Sequence, residues 1–103
     1  MTFREEMSTN EIGGKQHKRP FRRQAIPPKA ALEIGKVRYI GFNEYGYSDD
    51  NYKLIDANEH LGRALRHIFL ALDGEDRRNN LSHAATRLLF ALEQEIENEQ
   101  KGE

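Results

Sequence analysis

Residues 56–74, DANEHLGRALRHIFLALDG, and residues 79–96, NNLSHAATRLLFALEQEI, decide the fold. In the first stretch Ala57, Leu61, Ala64, Leu65, Ile68 and Leu72 recur at three- and four-residue spacing, and Gly74 follows as a stop. That is the period of one face of an α-helix. Asp56 with Glu59 three residues on has the form of a capping-box variant, a carboxylate accepting from the free N–H groups of the first turn. In the second stretch Leu81, Ala84, Ala85, Leu88, Leu92 and Ile96 repeat the pattern, and Asn79 or Asn80 is the expected cap. A connection of about six residues makes the two helices antiparallel neighbours.

Upstream, Ile26-Pro27-Pro28 signals a helix entry, because proline in the first turn lacks only an N–H that would have no partner there. Ala30, Ile34, Val37, Gly41 and Tyr45 then recur at helical spacing, with Gly41 leaving room for a close neighbour and Gly46 as the stop. This predicts a first helix from Pro28 to Tyr45. Residues 47–54 read as a polar loop centred on Ser48-Asp49-Asp50-Asn51. No strand pattern of useful length appears. The expected fold is all-α, a three-helix unit whose second and third helices form an antiparallel hairpin. Residues 26–99 make the helical domain, and 100–103 are a frayed acidic end. Residues 1–25 carry Gly13-Gly14, many charges and no apolar period, and read as a flexible basic tail.

The chain has 103 residues, 37% hydrophobic and 32% charged, with a mean hydropathy of −0.87. One domain fits this length. About fifteen core side chains at ~1.5–3 kcal/mol each do not by themselves offset roughly 1–2 kcal/mol of backbone entropy per ordered residue. A homo-oligomer completing a bundle is therefore expected. Phe69, Leu89 and Phe90 lie partly off the main stripes, and either build that second interface or widen a single core face. No apolar run reaches membrane-spanning length and no signal-peptide pattern opens the chain, so no membrane is involved and a cytoplasmic protein is expected. The absence of cysteine removes disulfides, thiolate metal sites and thiol nucleophiles, leaving carboxylates, imidazoles and arginines to run any chemistry.

The net charge of −1 conceals an asymmetry. Residues 1–29 hold seven Lys or Arg against three acids, and residues 91–103 hold five acids against Lys101. The basic run within residues 15–29 could meet nucleic acid or an acidic protein, and the opposite ends could join head to tail.

His60, Arg63 and His67 form one polar stripe beside the apolar face, and His83, Arg87 and Phe90 form another. Antiparallel packing brings His67 near His83, with the acidic corner Asp73, Glu75 and Asp76 between the helices. Imidazoles, guanidiniums and carboxylates together suit a phosphate and its divalent cation, and the N-terminus of the third helix favours an anion near His83. The same residues also fit satisfied structural histidines and ordinary loop charges. Neither a P-loop, a dinucleotide glycine fingerprint nor a His-Asp pair is present, and no histidines stand at i and i+4 for zinc.

The string Ile26-Pro27-Pro28, Leu32, Val37, Gly41, Glu44-Tyr45-Gly46, Asn51-Tyr52 continues in register with 63–67 (Arg-Ala-Leu-Arg-His), Gly74-Glu75-Asp76, Leu81-x-His83-Ala84-Ala85 and Leu89-Phe90-Ala91-Leu92. Over residues 18–93 this resembles the N-terminal domain of dATP/dGTP diphosphohydrolases, a family of phage and bacterial proteins. The resemblance implies a phage-type helical protein of the bacterial cytoplasm. It would be similar to the all-α pyrophosphatases that cut a deoxynucleoside triphosphate to monophosphate and pyrophosphate with Mg2+. On the matching positions it implies Glu75 and Asp76 for magnesium, Arg63 or Arg66 for phosphate, Asn51 and Tyr52 for the nucleotide with Tyr52 stacking on a base, and His67 or His83 for the attacking water. Arg77-Arg78-Asn79-Asn80 stands where the family carries an acidic, proline-containing insert. That replacement supports an alternative, a nucleotide-binding protein without catalysis that sequesters its ligand. A third reading is an interaction protein that works through the basic tail.

Overall fold

A computed structural model describes residues 25–102, together with the backbone of residues 7–9 and 15–17. Proline at the first position opens α1 (Pro28–Tyr45), and Gly46 ends it in the left-handed region at φ 70°, the conformation glycine takes without a Cβ penalty. The amide N–H groups of Gly46 and Tyr47 both return to the Gly41 carbonyl. Tyr47 thereby folds back over Gly41, where a Cβ would stand 3.3 Å from its ring. The close neighbour expected at Gly41 is thus this tyrosine rather than a second backbone. Within the polar loop a single 3-10 turn, Asn51–Leu54, precedes α2 (Ala57–Leu72).

The Asp56 carboxylate caps α2 by accepting from the Asn58 N–H at 2.7 Å. Glu59 does not complete a capping box; it pairs with Arg63 one turn on. α3 (Arg77–Lys101) starts earlier than either expected asparagine cap. Asp76, at φ 34°, turns the chain directly into the helix, so the connection from α2 is four residues long. Asn80 lies in the first turn instead, its amide Nδ2 donating to the Glu75 carbonyl at 2.6 Å and the Asp76 carbonyl at 3.3 Å. It ties down the corner from inside the helix.

β1 (Met7–Thr9) and β2 (Lys15–His17) pair antiparallel, with Met7 opposite His17. Strands of three residues are shorter than the alternation needed to recognise one in sequence. The rest of the expected flexible tail, including most of the basic run, lies outside the described residues. No helix among the described residues is long and apolar enough to cross a membrane.

The α2–α3 contact differs from the expected one. Its buried apolar residues are Ala64 and Ala71 of α2 with Ala84 and Ala91 of α3, joined by His60 and Asn80. Alanines seven residues apart on facing helices bring the two axes close. Side-chain bonds between His67 and Asn80, between Arg87 and His60, and between Gln94 and the Ile55 carbonyl pair rising numbers with falling ones. The two helices therefore run side by side in opposite senses.

The leucines expected in the core are exposed; Leu65 is 50% and Leu88 43% accessible, and no Leu, Ile, Val or Phe of the described residues is buried. At 100° per residue, Leu61, Leu65 and Leu72 sit about a quarter turn round from the alanine row, as do Leu81, Leu88 and Leu92 on α3. Because the helices are opposed, equal rotations in one sense bring both leucine rows to the same face. α1 occupies the other side of α3, near Thr86 and Phe90. Phe90 is half-buried and stacked on Tyr52 at 4.7 Å, while Phe69 and Leu89 are exposed.

α1 buries no residue and is held by few ties, among them an ion pair from Glu33 to Arg78 of α3. The Arg78 hydrogen bond, then that of Lys36, holds the Glu33 carboxyl below its ordinary value. A carboxylate with a lowered pKa adds stability above its unfolded value and loses it as pH falls through the lowered one. The tie is thus complete above about pH 4.3 and fades in more acid solution. Amide exchange should report loss of α1 protection before that of α2 or α3 as pH falls below the ordinary glutamate range, and Glu33→Gln should loosen α1 already at neutral pH. Equal loss in all three helices contradicts this assignment.

Candidate functional site

A cavity of about 520 Å³ opens between the C-terminal half of α1, the 3-10 turn and the first half of α3. Its walls are set by backbone anchors. The Tyr52 carbonyl accepts from His60 Nε2–H of α2 at 2.9 Å and from Gln94 Nε2 of α3 at 3.1 Å, so the turn is fastened to both helices of the hairpin. His60 is fully buried. Arg87 Nη1 donates to its Nδ1 at 3.1 Å, and since a guanidinium only donates, the ring proton must be on Nε2. His60 is therefore a structural histidine that connects the Tyr52 backbone to Arg87.

Arg87 lines the cavity, and Arg38 reaches it from α1. Arg38 donates to the Asp49 carbonyl at 2.7 Å and lies 4.9 Å over the Phe90 ring and 5.7 Å from the Tyr52 ring. Stacking of the guanidinium on aromatic rings fixes its plane while leaving donors for a ligand. At the opposite wall Tyr45 and Tyr47 stack on each other at 5.7 Å, both more than half exposed. The cavity thus combines two arginines and His83 with open aromatic surface, against the single carboxylate of Asp49.

Of the residues expected in a site, Asn51, Tyr52 and His83 line this cavity. His67 stands behind it, its ring 5.2 Å from that of His83, so the expected approach of the two histidines is present. Each histidine is oriented through Nδ1–H, His67 donating to Asn80 Oδ1 at 2.8 Å and His83 to the Asn79 carbonyl at 2.9 Å. Because Asn80 Nδ2 is spent on two carbonyls, its oxygen must face His67. In the neutral form of each ring, Nε2 is then the acceptor.

Arg63 and Arg66 are elsewhere. Arg63 is bound to Glu59 at 3.0 Å on the exposed side of α2, and Arg66 borders a shallow groove with Phe69 and Asp73. Glu75 and Asp76 form the α2–α3 corner and are not part of the cavity wall. Among the described residues no three His, Asp or Glu side chains converge as a metal cage would need. Within the cavity wall only Asp49 offers a carboxylate that a magnesium ion could share with substrate phosphates, and Glu75 and Asp76 stand outside it.

Arg38 is the residue sequence reasoning missed. Its signal was present, since Ile34, Arg38, Gly41 and Tyr45 follow one another at helical spacing on the face that meets α3. Arg87 was visible on the His83 stripe, but its place depends on where α1 crosses.

Fold and cavity define a small all-α protein with an arginine-lined, aromatic-walled pocket, a type suited to a planar ring carrying anionic groups. More particularly, the chain belongs to the family described as dATP/dGTP diphosphohydrolase, N-terminal, whose profile matches residues 10–103. Searches of curated proteins and of solved structures give no match.

Proposed function

We propose that the chain binds a purine deoxynucleoside triphosphate in the cavity between α1 and α3 and hydrolyses it to monophosphate and pyrophosphate. The observation that carries this reading is the joint presence of Arg38, Arg87 and His83 with open aromatic walls in a chain of this family. The base lies against Tyr45 and Tyr47, and the phosphates meet the two guanidiniums. His83 Nε2 takes the proton of a water whose oxygen attacks the α-phosphorus, as the bond from that phosphorus to the bridging oxygen breaks and pyrophosphate leaves. His67, held by Asn80, supports the His83 ring from behind. No step is assigned to Glu75, Asp76 or a metal. The chain acts as a homo-oligomer, a reading supported by the leucines its helices leave uncovered.

Incubation with dATP or dGTP, with and without magnesium, should release pyrophosphate, and His83→Ala should slow release by about 10²–10⁴-fold while binding persists. Arg77 and Arg78, standing in place of acids, favour a second reading in which the nucleotide is held and not cut. Tight binding with no product from either nucleotide would establish that reading and overturn hydrolysis.

A further inference from the structure

We propose that the leucine face of the α2–α3 hairpin is a homodimer interface in which α3 packs antiparallel on α3 of a second copy. This does not rest on the nucleotide reading, since the face lies away from the cavity. Leu61, Leu65, Leu72, Leu81, Leu88 and Leu92 present one apolar surface, each more than two-fifths exposed. The only buried apolar side chains among the described residues are four alanines, and these six leucines are left open by the described residues. A two-helix layer about 24 Å long and 20 Å wide has an outline of roughly 500 Å². Corrugated by leucines, it approaches the ~800 Å² of accessible surface that each partner of a standard interface buries.

The spacing of this row selects a second copy as the occupant, and selects its direction. Leu81, Ala85, Leu88 and Leu92 are symmetric about a point between residues 86 and 87. An antiparallel copy therefore sets Leu81 over Leu92 of the partner subunit and Ala85 over Leu88 of the partner subunit, small against large. One turn further out, Arg77 meets the turn bearing Glu95 and Glu99 of the partner subunit. Arg77, Glu95 and Glu99 make no ion pair among the described residues, so both ends of the interface have a charge to offer. The asymmetry along α3, basic at its start and acidic at its end, becomes complementarity only when the copies are opposed.

The chain contains no cysteine, which makes a disulfide test clean. Leu81 and Leu92 lie about 16 Å apart along one helix, too far to bridge within a chain. The variant carrying both Leu81→Cys and Leu92→Cys should oxidise to a covalent dimer, and neither single variant should. Sedimentation of the full chain at about 100 μM should give a dimer. Arg77→Glu should weaken it by about tenfold, and adding Glu95→Arg and Glu99→Arg should restore it. These surface changes leave the fold intact. A monomeric full chain overturns the proposal, and amide protection of the leucine face in that monomer would assign the cover to residues 1–24. Single cysteine variants that cross-link as readily as the double one overturn the antiparallel arrangement.

Discussion

Replacement of His60 by alanine is expected to destabilise the protein by about 3–4 kcal/mol, the largest effect of any single side chain in the structure. The ring is fully buried and bonded at both nitrogens, to the Tyr52 carbonyl and to Arg87. Truncation removes two hydrogen bonds, leaves a guanidinium short of its acceptor, and opens a void beside Phe90, whose ring is 5.2 Å away. Tyr52 keeps Gln94 as a donor, so the 3-10 turn loosens rather than detaches. Thermal unfolding at fixed protein concentration should show the midpoint fall by roughly 10–20 °C. His60→Gln, which keeps a polar atom in the space, should lose less. A loss below about 1 kcal/mol for His60→Ala would mean that the ring is not the clasp between the turn and α3.

The second large effect is on binding. Arg38→Ala is expected to weaken nucleotide affinity by about 10–100-fold, the range set by one charge-assisted contact to phosphate. Arg38 is half-buried in the cavity wall, bonded to the Asp49 loop and stacked on Phe90 and Tyr52, so its removal should lower the unfolding midpoint by only a few degrees, about 1 kcal/mol. Arg63→Ala is the matched control. Arg63 spends its guanidinium on Glu59 at the outer surface of α2, where an exposed i,i+4 pair contributes only about 0.3–0.5 kcal/mol. Calorimetric titration with dGTP should separate the two variants. Equal affinities, or a larger loss for Arg63→Ala, would place the phosphates away from the cavity.

The contrast between these arginines marks how far the chain is legible without coordinates. Helix ends are local events. Pro28, Gly46 and Asp56 each act on their own turn, and α1 runs from Pro28 to Tyr45 as its sequence predicts. The meeting of His67 and His83 is legible too, because a short connection between two periodic segments leaves little freedom. The cap of α3 is not: Asn79 and Asn80 look like N-caps, but Asp76 in the left-handed region starts the helix first, and Asn80 serves the corner from within.

Which apolar row faces the neighbouring helix is likewise hidden. The alanine and leucine rows share one period, and only the close approach permitted by Ala64, Ala71, Ala84 and Ala91 decides that leucine stays outside. Arg38 shares the helical period of Ile34, Gly41 and Tyr45, but only the crossing of α1 over α3 brings it to the site. Family membership motivates the proposed nucleotide, and the cavity lining motivates the side chains proposed to hold it.

The most direct test of the central claim is a heteronuclear NMR titration of the intact chain with dGTP, following backbone amides and arginine side-chain signals. A nucleotide bound in the cavity between α1 and α3 should give saturable shifts at Arg38, Asn51, Tyr52, His83 and Arg87. Shifts confined to the groove beside Arg66 and Phe69, or no saturable change at all, would contradict it.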